Sequence, residues 1–181
     1  MLDFYSHNLV SVQELYDRKL TSKLTISVSG INLSKNDLHS LIGLPINCLK
    51  NIDISRNANL KSFEGISKNI KGILYANECS FTNLKFFPKS VESAGLTKNP
   101  LSSVEDAFES IIQVVHLDLN DNLAVLPLIK FNVVFANDGI ITKIFEKHRA
   151  QNPSKQDIIN LQISLINSGY ANNAIWVPSD E

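Results

Sequence analysis

Val91-Glu-Ser-Ala94-Gly-Leu96-Thr-Lys-Asn99-Pro-Leu101-Ser-Ser-Val104 sets its apolar residues at the offsets L-x-x-L-x-L, with an Asn and a further Leu following. Ala94 and Leu96 alternate with period two, which is the spacing of a strand rather than of a helix. An Asn side chain carries two amide donors and a carbonyl acceptor, and so suits the backbone groups left open where a chain turns out of a sheet. The same spacing returns in Val28, Ile31, Leu33, Asn36, Leu38 and Leu41. It returns again in Leu49, Ile52, Ile54, Asn57, Leu60 and Phe63, with one extra residue after the Asn. Followed by their first apolar position, the copies start at Val28, Leu49, Ile70, Val91, Val114 and Leu128, the first three intervals being equal. A fixed period with its inner pattern intact predicts stacked units, each contributing one strand to a parallel sheet.

Two copies depart from the pattern. Ile70, Ile73 and Tyr75 fit, but Glu78 falls in the Asn position; Leu128, Phe131 and Val133 fit, but Ala136 does. A slipped turn using Asn77 and Asn137 is expected there, while Asn36, Asn57, Asn99 and Asn122 form the ladder. Ser103 as N-cap, acids behind it, and Val104, Ala107, Phe108 and Ile111 on one face predict a helix on the side away from the sheet.

A stacked array must cover its ends. Residues 1–27 are expected to form an N-terminal cap. Its helix starts at the capping box Ser11-Val-Gln-Glu14, with Val10 and Leu15 as a hydrophobic staple, and Leu24–Val28 follows as a strand. Residues 28–144 hold about six repeats. Residues 145–181 are expected to form a C-terminal cap around a helix that starts at Ser154-Lys-Gln-Asp157, buries Ile158, Leu161, Leu165 and Ile166, and stops at Gly169, after which Tyr170 to Trp176 folds back. The fold expected is therefore an α/β solenoid with parallel strands on its concave face and a helical cap at each end.

The length of 181 residues fits one domain, and a hydrophobic content of 44% can fill a continuous core. A net charge of -1 and a pI near 6.4 lack the basic excess of a general nucleic-acid binder. No apolar run is long enough to span a bilayer, and the first residues do not read as a secretory signal, so a cytoplasmic protein is expected, with delivery into a host cell as a further route. Cys48 and Cys79 fall at different positions of neighbouring copies and are expected to be buried free thiols. His39, His116 and His148 are scattered, and no phosphate loop, nucleophile elbow or metal-ligand spacing occurs, so no enzyme, cofactor or metal is expected. His116 and Asp118 share a strand face, which reads as a solvated face before it reads as an acid–base pair.

Residues 28 to about 140 resemble leucine-rich-repeat proteins, and among them the short bacterial kind with Leu-Pro-x-x-Leu-x-x-Leu-x-Val-x-x-Asn-x-Leu. The matches are Phe87-Pro88-Lys-Ser-Val91-Glu-Ser-Ala94-Gly-Leu96-Thr-Lys-Asn99-Pro-Leu101 and Leu44-Pro45-Ile-Asn-Cys-Leu49-Lys-Asn-Ile52-Asp-Ile54-Ser-Arg-Asn57, and Leu126-Pro127 echoes the same junction. The resemblance implies a binding module of the type found in bacterial effectors, host regulators and phages. The ubiquitin-ligase domain that follows the repeats in one effector group is not expected in the short segment after these repeats.

Residues flanking the inward pair point onto the concave sheet and form columns across repeats. One reads Asn32, Asp53, Leu74, Gly95, Asp118, Asn132. The next reads Ser34, Ser55, Ala76, Thr97, Asn120, Val134, and the third Lys35, Arg56, Asn77, Lys98, Asp121, Phe135. A face of this mixture suits a protein partner, with Asn32, Lys35, Asp53, Arg56, Lys98, His116, Asp118, Asp121 and Phe135 as its contact residues. A nucleic acid held along Lys35, Arg56 and Lys98, or self-association through the C-terminal segment, are the alternatives.

Overall fold

The computed structural model describes residues 1–21, 27–107, 110–118, 123–130, 132–150 and 153–175. The strands are β1 (Leu2–Asp3), β2 (Ser27–Val28), β3 (Ile31–Asn32), β4 (Asn47–Cys48), β5 (Ile52–Asp53), β6 (Asn69–Tyr75), β7 (Ser90–Gly95), β8 (Ile111–Leu117) and β9 (Val133–Phe135). Every pairing is parallel, in the order β1-β3-β5-β6-β7-β8-β9, and β2 and β4 form a second path that joins at β6. The chain is thus a solenoid of parallel strands with few helices, as its repeat period requires.

Register follows side-chain identity. Leu2, Ile31, Ile52, Leu74, Ala94, Val115 and Val133 are successive partners in one row. Phe4, Leu33, Ile54, Ala76, Leu96 and Leu117 form a second buried row, and Val28, Cys48, Ile70 and Val91 a third. From the other side Leu38, Leu60, Phe81 and Leu101 close on these rows. Phe63 stacks on Phe81 at 3.9 Å between ring centroids and meets Phe87 edge-on. Each such side chain contributes about 1.5–3 kcal/mol by leaving water, so the array is held by rows shared between neighbours.

The Asn position explains why the chain can turn so tightly. Asn57 is fully buried; its Nδ2 donates to the carbonyls of Leu33, Ile54 and Ser55, and its Oδ1 accepts the Leu38 N–H at 3.0 Å. Asn36 and Asn99 repeat the scheme, accepting from Leu9 and Phe81 and donating to Phe4 and Ala76 as well as to their own turns. In the copy between those of Asn57 and Asn99 the position belongs to Cys79, whose thiol donates to the Ile54 carbonyl at 3.3 Å. A thiol is a poor acceptor, and none is needed here: the extra residue after Asn57 lets the Leu60 N–H bond the Asn57 carbonyl instead. Burial pushes the Cys79 thiol up to about 11 and raises that of Cys48. Asn122 lies outside the described residues.

Several expectations are corrected. In place of an N-terminal helical cap, Leu2–Asp3 adds a strand to the sheet. Leu2, Phe4, His7 and Leu9 occupy the repeat positions, with His7 where later copies carry Asn. The capping box at Ser11 does not form, because Glu14 Oε1 accepts from the Val10 N–H; the helix there is only α1 (Glu14–Asp17), and Val10 is exposed. The expected strand over Leu24–Ile26 falls outside the described residues. Cys48, not Leu49, enters the core. Ile112, not Val114, pairs with Val91, so Val114 falls in the half-buried row of Ile73 and Ser93. The helix expected from Ser103 is a short 3₁₀ turn, Glu105–Ala107, and Ile111 belongs to β8; Phe108 lies outside the described residues.

The C-terminal segment holds two helices, α2 (Ile140–His148) and α3 (Lys155–Asn167). Ser154 caps α3 in a closed box with Asp157, and Gly169 ends it at φ +86. Ile141, Phe145, Leu161 and Leu165 are buried, and Ile158 is partly buried, but Ile166, expected inside, is half exposed. His148 Nε2 meets Ser164 Oγ at 2.8 Å and clasps the two helices together, while Phe145 sits edge-on to Phe135 of β9. Trp176 lies outside the described residues.

Candidate functional site on the outer face of the sheet

The residue between each inward pair points outward, and these residues stack as Asp3, Asn32, Asp53, Tyr75, Gly95, His116 and Val134. In the early copies this column also has a local task. Asp3 Oδ1 accepts the Tyr5 N–H, Asn32 Oδ1 the Ser34 N–H, and Asp53 Oδ1 the Ser55 N–H at 2.9 Å. Tyr75 and Gly95 have no such acceptor, so the load shifts sideways. Ser55 Oγ takes the Asn77 N–H, Asn77 Oδ1 takes the Thr97 N–H, and Asp118 Oδ2 takes the Lys98 N–H.

Beyond this lies a row in which Ser6, Lys35, Arg56, Glu78 and Lys98 all adopt positive φ between 55° and 59°. It is the last residue before the Asn position, where the strand must reverse direction. Lys35, Arg56 and Lys98 do share this row as expected, but Glu78 stands where Asn77 was expected. Glu78 Oε1 is 3.6 Å from Arg56 Nε and 3.3 Å from Lys98 Nζ, which places a carboxylate between two cations of the expected basic edge.

The displacement has one cause. Between Ile70 and Ile73 the register of β6 shifts, and from there each side chain changes face. Leu74 and Ala76, expected outside, are buried; Tyr75, expected inside, is exposed. The bulge rests on Gly72, where a Cβ would lie 2.4 Å from Asn51 Oδ1, and the same Asn51 atom accepts the Ile73 N–H.

Tyr5 and Tyr75 then stand on either side of a floor of Asn32, Ser34, Asp53 and Ser55, with Asn77, Arg56 and Glu78 at its margin. They line an open hollow of about 380 Å³. Lys35 Nζ lies 5.5 Å from the Tyr5 ring centroid. Of the expected contact residues, Asn32, Asp53 and Arg56 line this hollow; Lys35 and Lys98 flank it. His116 shares the column but stands further along it, beyond Gly95, and Asp118 is bound to the Lys98 backbone. Phe135 is in register with Leu117 and turns inward to Phe145, so it is not on the outer face. Asp121 lies outside the described residues. Tyr5, Tyr75 and Glu78 were missed; the spacing Leu2-x-Phe4-x-x-His7-x-Leu9 was the available signal for Tyr5, and Gly72 for the other two.

Fold and site together define a parallel β-solenoid whose outer sheet face is hollowed between two tyrosines. Comparison with models of protein families, with curated proteins and with solved structures gave no match. Among the described residues no group of three or more His, Cys, Asp or Glu is placed to hold a metal ion, and no helix is long and apolar enough to cross a membrane.

Proposed function

We propose that the chain is a leucine-rich-repeat module that binds a partner protein through the outer face of its sheet, and acts by occupying, scaffolding or inhibiting that partner in the cytoplasm of its own cell or of a host. The hollow between Tyr5 and Tyr75 carries this reading. Tyrosine supplies large contact area at low entropic cost, and tyrosine and arginine are enriched among the residues that dominate the energetics of protein interfaces. Here they stand over small polar side chains already fixed by backbone bonds. The repeat identity is supported by the Asn and Cys positions, each bonding the carbonyls of its own and the preceding copy. Arg56 and Lys98 are both already paired with Glu78, which counts against a phosphate backbone as the ligand.

The test is capture of a partner from an extract of the native cell by the wild type, by Tyr75→Ala and Arg56→Glu on the outer face, and by Phe86→Ser off the sheet. Loss in both outer-face variants with retention in the wild type and in Phe86→Ser is expected, and capture should fall only mildly with salt. Retention by both outer-face variants moves the site elsewhere.

A further inference from the structure

We infer that the hollow receives a basic side chain, Lys or Arg, from the partner, with its cation against the Tyr75 ring and its charge met by Asp53; this rests on the protein-binding reading above. Asp53 and Tyr75 are register partners on β5 and β6, so carboxylate and ring stand side by side, one strand spacing apart. Asp53 holds the Ser55 N–H with Oδ1 and, among the described residues, has no cation in ion-pair range.

The fold does not require that charge. Asn32 does the same work for Ser34 one strand earlier with a neutral amide, through a 3.0 Å bond. The carboxylate at 53 is therefore surplus to the backbone's needs. Of the two carboxylates lining the hollow, Glu78 is already held by Arg56 and Lys98. Among the described residues, Asp53 is the one left without a cation.

The aromatic half of the site is also open. Tyr75 is 36% exposed, and its partner on β7 is Gly95, which adds no side chain beside the ring. At the opposite wall the chain already makes the same kind of contact internally, with Lys35 over Tyr5. Ring faces attract cations through their quadrupole, and guanidinium and ammonium groups are the protein cations that exploit it.

The test titrates the full isotope-labelled chain with acetylated, amidated pentapeptides Gly-Gly-X-Gly-Gly, where X is arginine, lysine or the neutral isostere citrulline, following backbone amide shifts. Arginine and lysine are expected to give saturable shifts at Asp53, Ser55, Tyr75 and Asn77 and to bind about tenfold tighter than citrulline. Asp53→Asn should remove most of the advantage of arginine over citrulline with an unchanged melting temperature, since Asn keeps the Ser55 bond. Equal binding of arginine and citrulline, shifts elsewhere on the chain, or undiminished binding by Asp53→Asn would each overturn the inference. If the peptides fail while Tyr75→Ala and Arg56→Glu still lose the partner, the basic side chain is wrong and the protein-binding face stands. If those variants keep the partner, the face itself is wrong and this inference falls with it.

Discussion

The sheet ends in two different ways. At β1 the open edge is closed by its own residues: Asp3 Oδ1 takes the Tyr5 N–H, and the Tyr5 carbonyl accepts from His7 Nδ1 at 3.1 Å. At β9 the closure comes from further along the chain. Arg149, just after α2, donates from Nη1 to the Val133 carbonyl at 3.0 Å and from Nη2 to Asn132 Oδ1, and is itself held by Glu146. An unpaired edge invites pairing with another chain. Three polar residues suffice where the edge strand is short; the far end engages two helices and buries Phe145 against Phe135.

The largest expected effect comes from breaking the second arrangement outright. Ending the chain at Asp138 removes Ile141, Phe145, Leu161 and Leu165 from the core. At about 1.5–3 kcal/mol each, their loss approaches the whole stability of a domain, about 5–15 kcal/mol. Size-exclusion chromatography and thermal melts should show aggregation or loss of a cooperative transition; a monomer with unchanged melting would mean that the helices do not close the edge.

The interior supplies the reference in which both neighbours are present. Asn57→Ala strands the Leu38 N–H and the Leu33 and Ile54 carbonyls and should cost about 3 kcal/mol, whereas Cys79→Ala removes only a weak donor and a small packed group and should cost about 1 kcal/mol. Urea unfolding measures both, and equal costs would undo the explanation of why a thiol is tolerated there.

The two ends can then be compared residue against residue. Arg149→Ala leaves a strand carbonyl unpaired at an edge and should cost about 2 kcal/mol with concentration-dependent association. Asp3→Ala should cost about 1 kcal/mol, since water can reach its exposed edge. A reversed order in denaturation and light scattering would show the first edge to be the vulnerable one.

Alkali offers a smaller effect. The folded Cys79 thiol titrates at about 11 against a reference of 9.0. The folded chain therefore keeps a proton that the unfolded chain loses. This contribution is whole below the unfolded pKa and is lost as pH rises through the folded one. Wild type should lose more stability than Cys79→Ala between about pH 9 and pH 11 in paired urea titrations; parallel curves would remove the thiol as the cause.

The smallest effect should be a gain. Phe86, at φ 65, stands where the two preceding copies have Gly43 and Gly65, also at positive φ, and the residue is 53% exposed. Phe86→Gly should raise stability by about 0.5 kcal/mol, read from the denaturation midpoint.

What was legible in the chain was whatever a single residue type must do wherever it occurs. Asn36, Asn57 and Asn99 could be placed because few side chains both donate and accept in a tight turn, and Ser154 with Asp157 because a capping box is local. Parity within a strand was not legible where apolar residues run together. Ile73, Leu74 and Tyr75 allow either face to be inward, and the choice is made by Asn51 of the preceding copy approaching Gly72. Over Ile111 to Leu117 the apolar run also allows a slip of two residues, which keeps parity but sets His116 rather than Asp118 beside Gly95. Because the hollow depends on that parity, Asn32 and Asp53 could be read as outward residues while Tyr75 and Glu78 could not. Tyr5 was hidden for another reason: a helix start at Ser11 was read where Glu14 bonds Val10 instead.

Ser6, Lys35, Arg56, Glu78 and Lys98 share a left-handed backbone along one row. A left-handed backbone costs an ordinary residue about 1–2 kcal/mol, and glycine would adopt it freely. The chain therefore carries five side chains at positions its own backbone would rather leave bare. Four of them reach their sheet bonds through main-chain atoms alone, whatever the side chain is, and Lys98 leans on Asp118. Exchanging residues along the row would change what the surface displays without asking the sheet to refold. For an engineer this is a ready graft site: five variable letters, about 4.8 Å apart, on a frame whose spelling need not change.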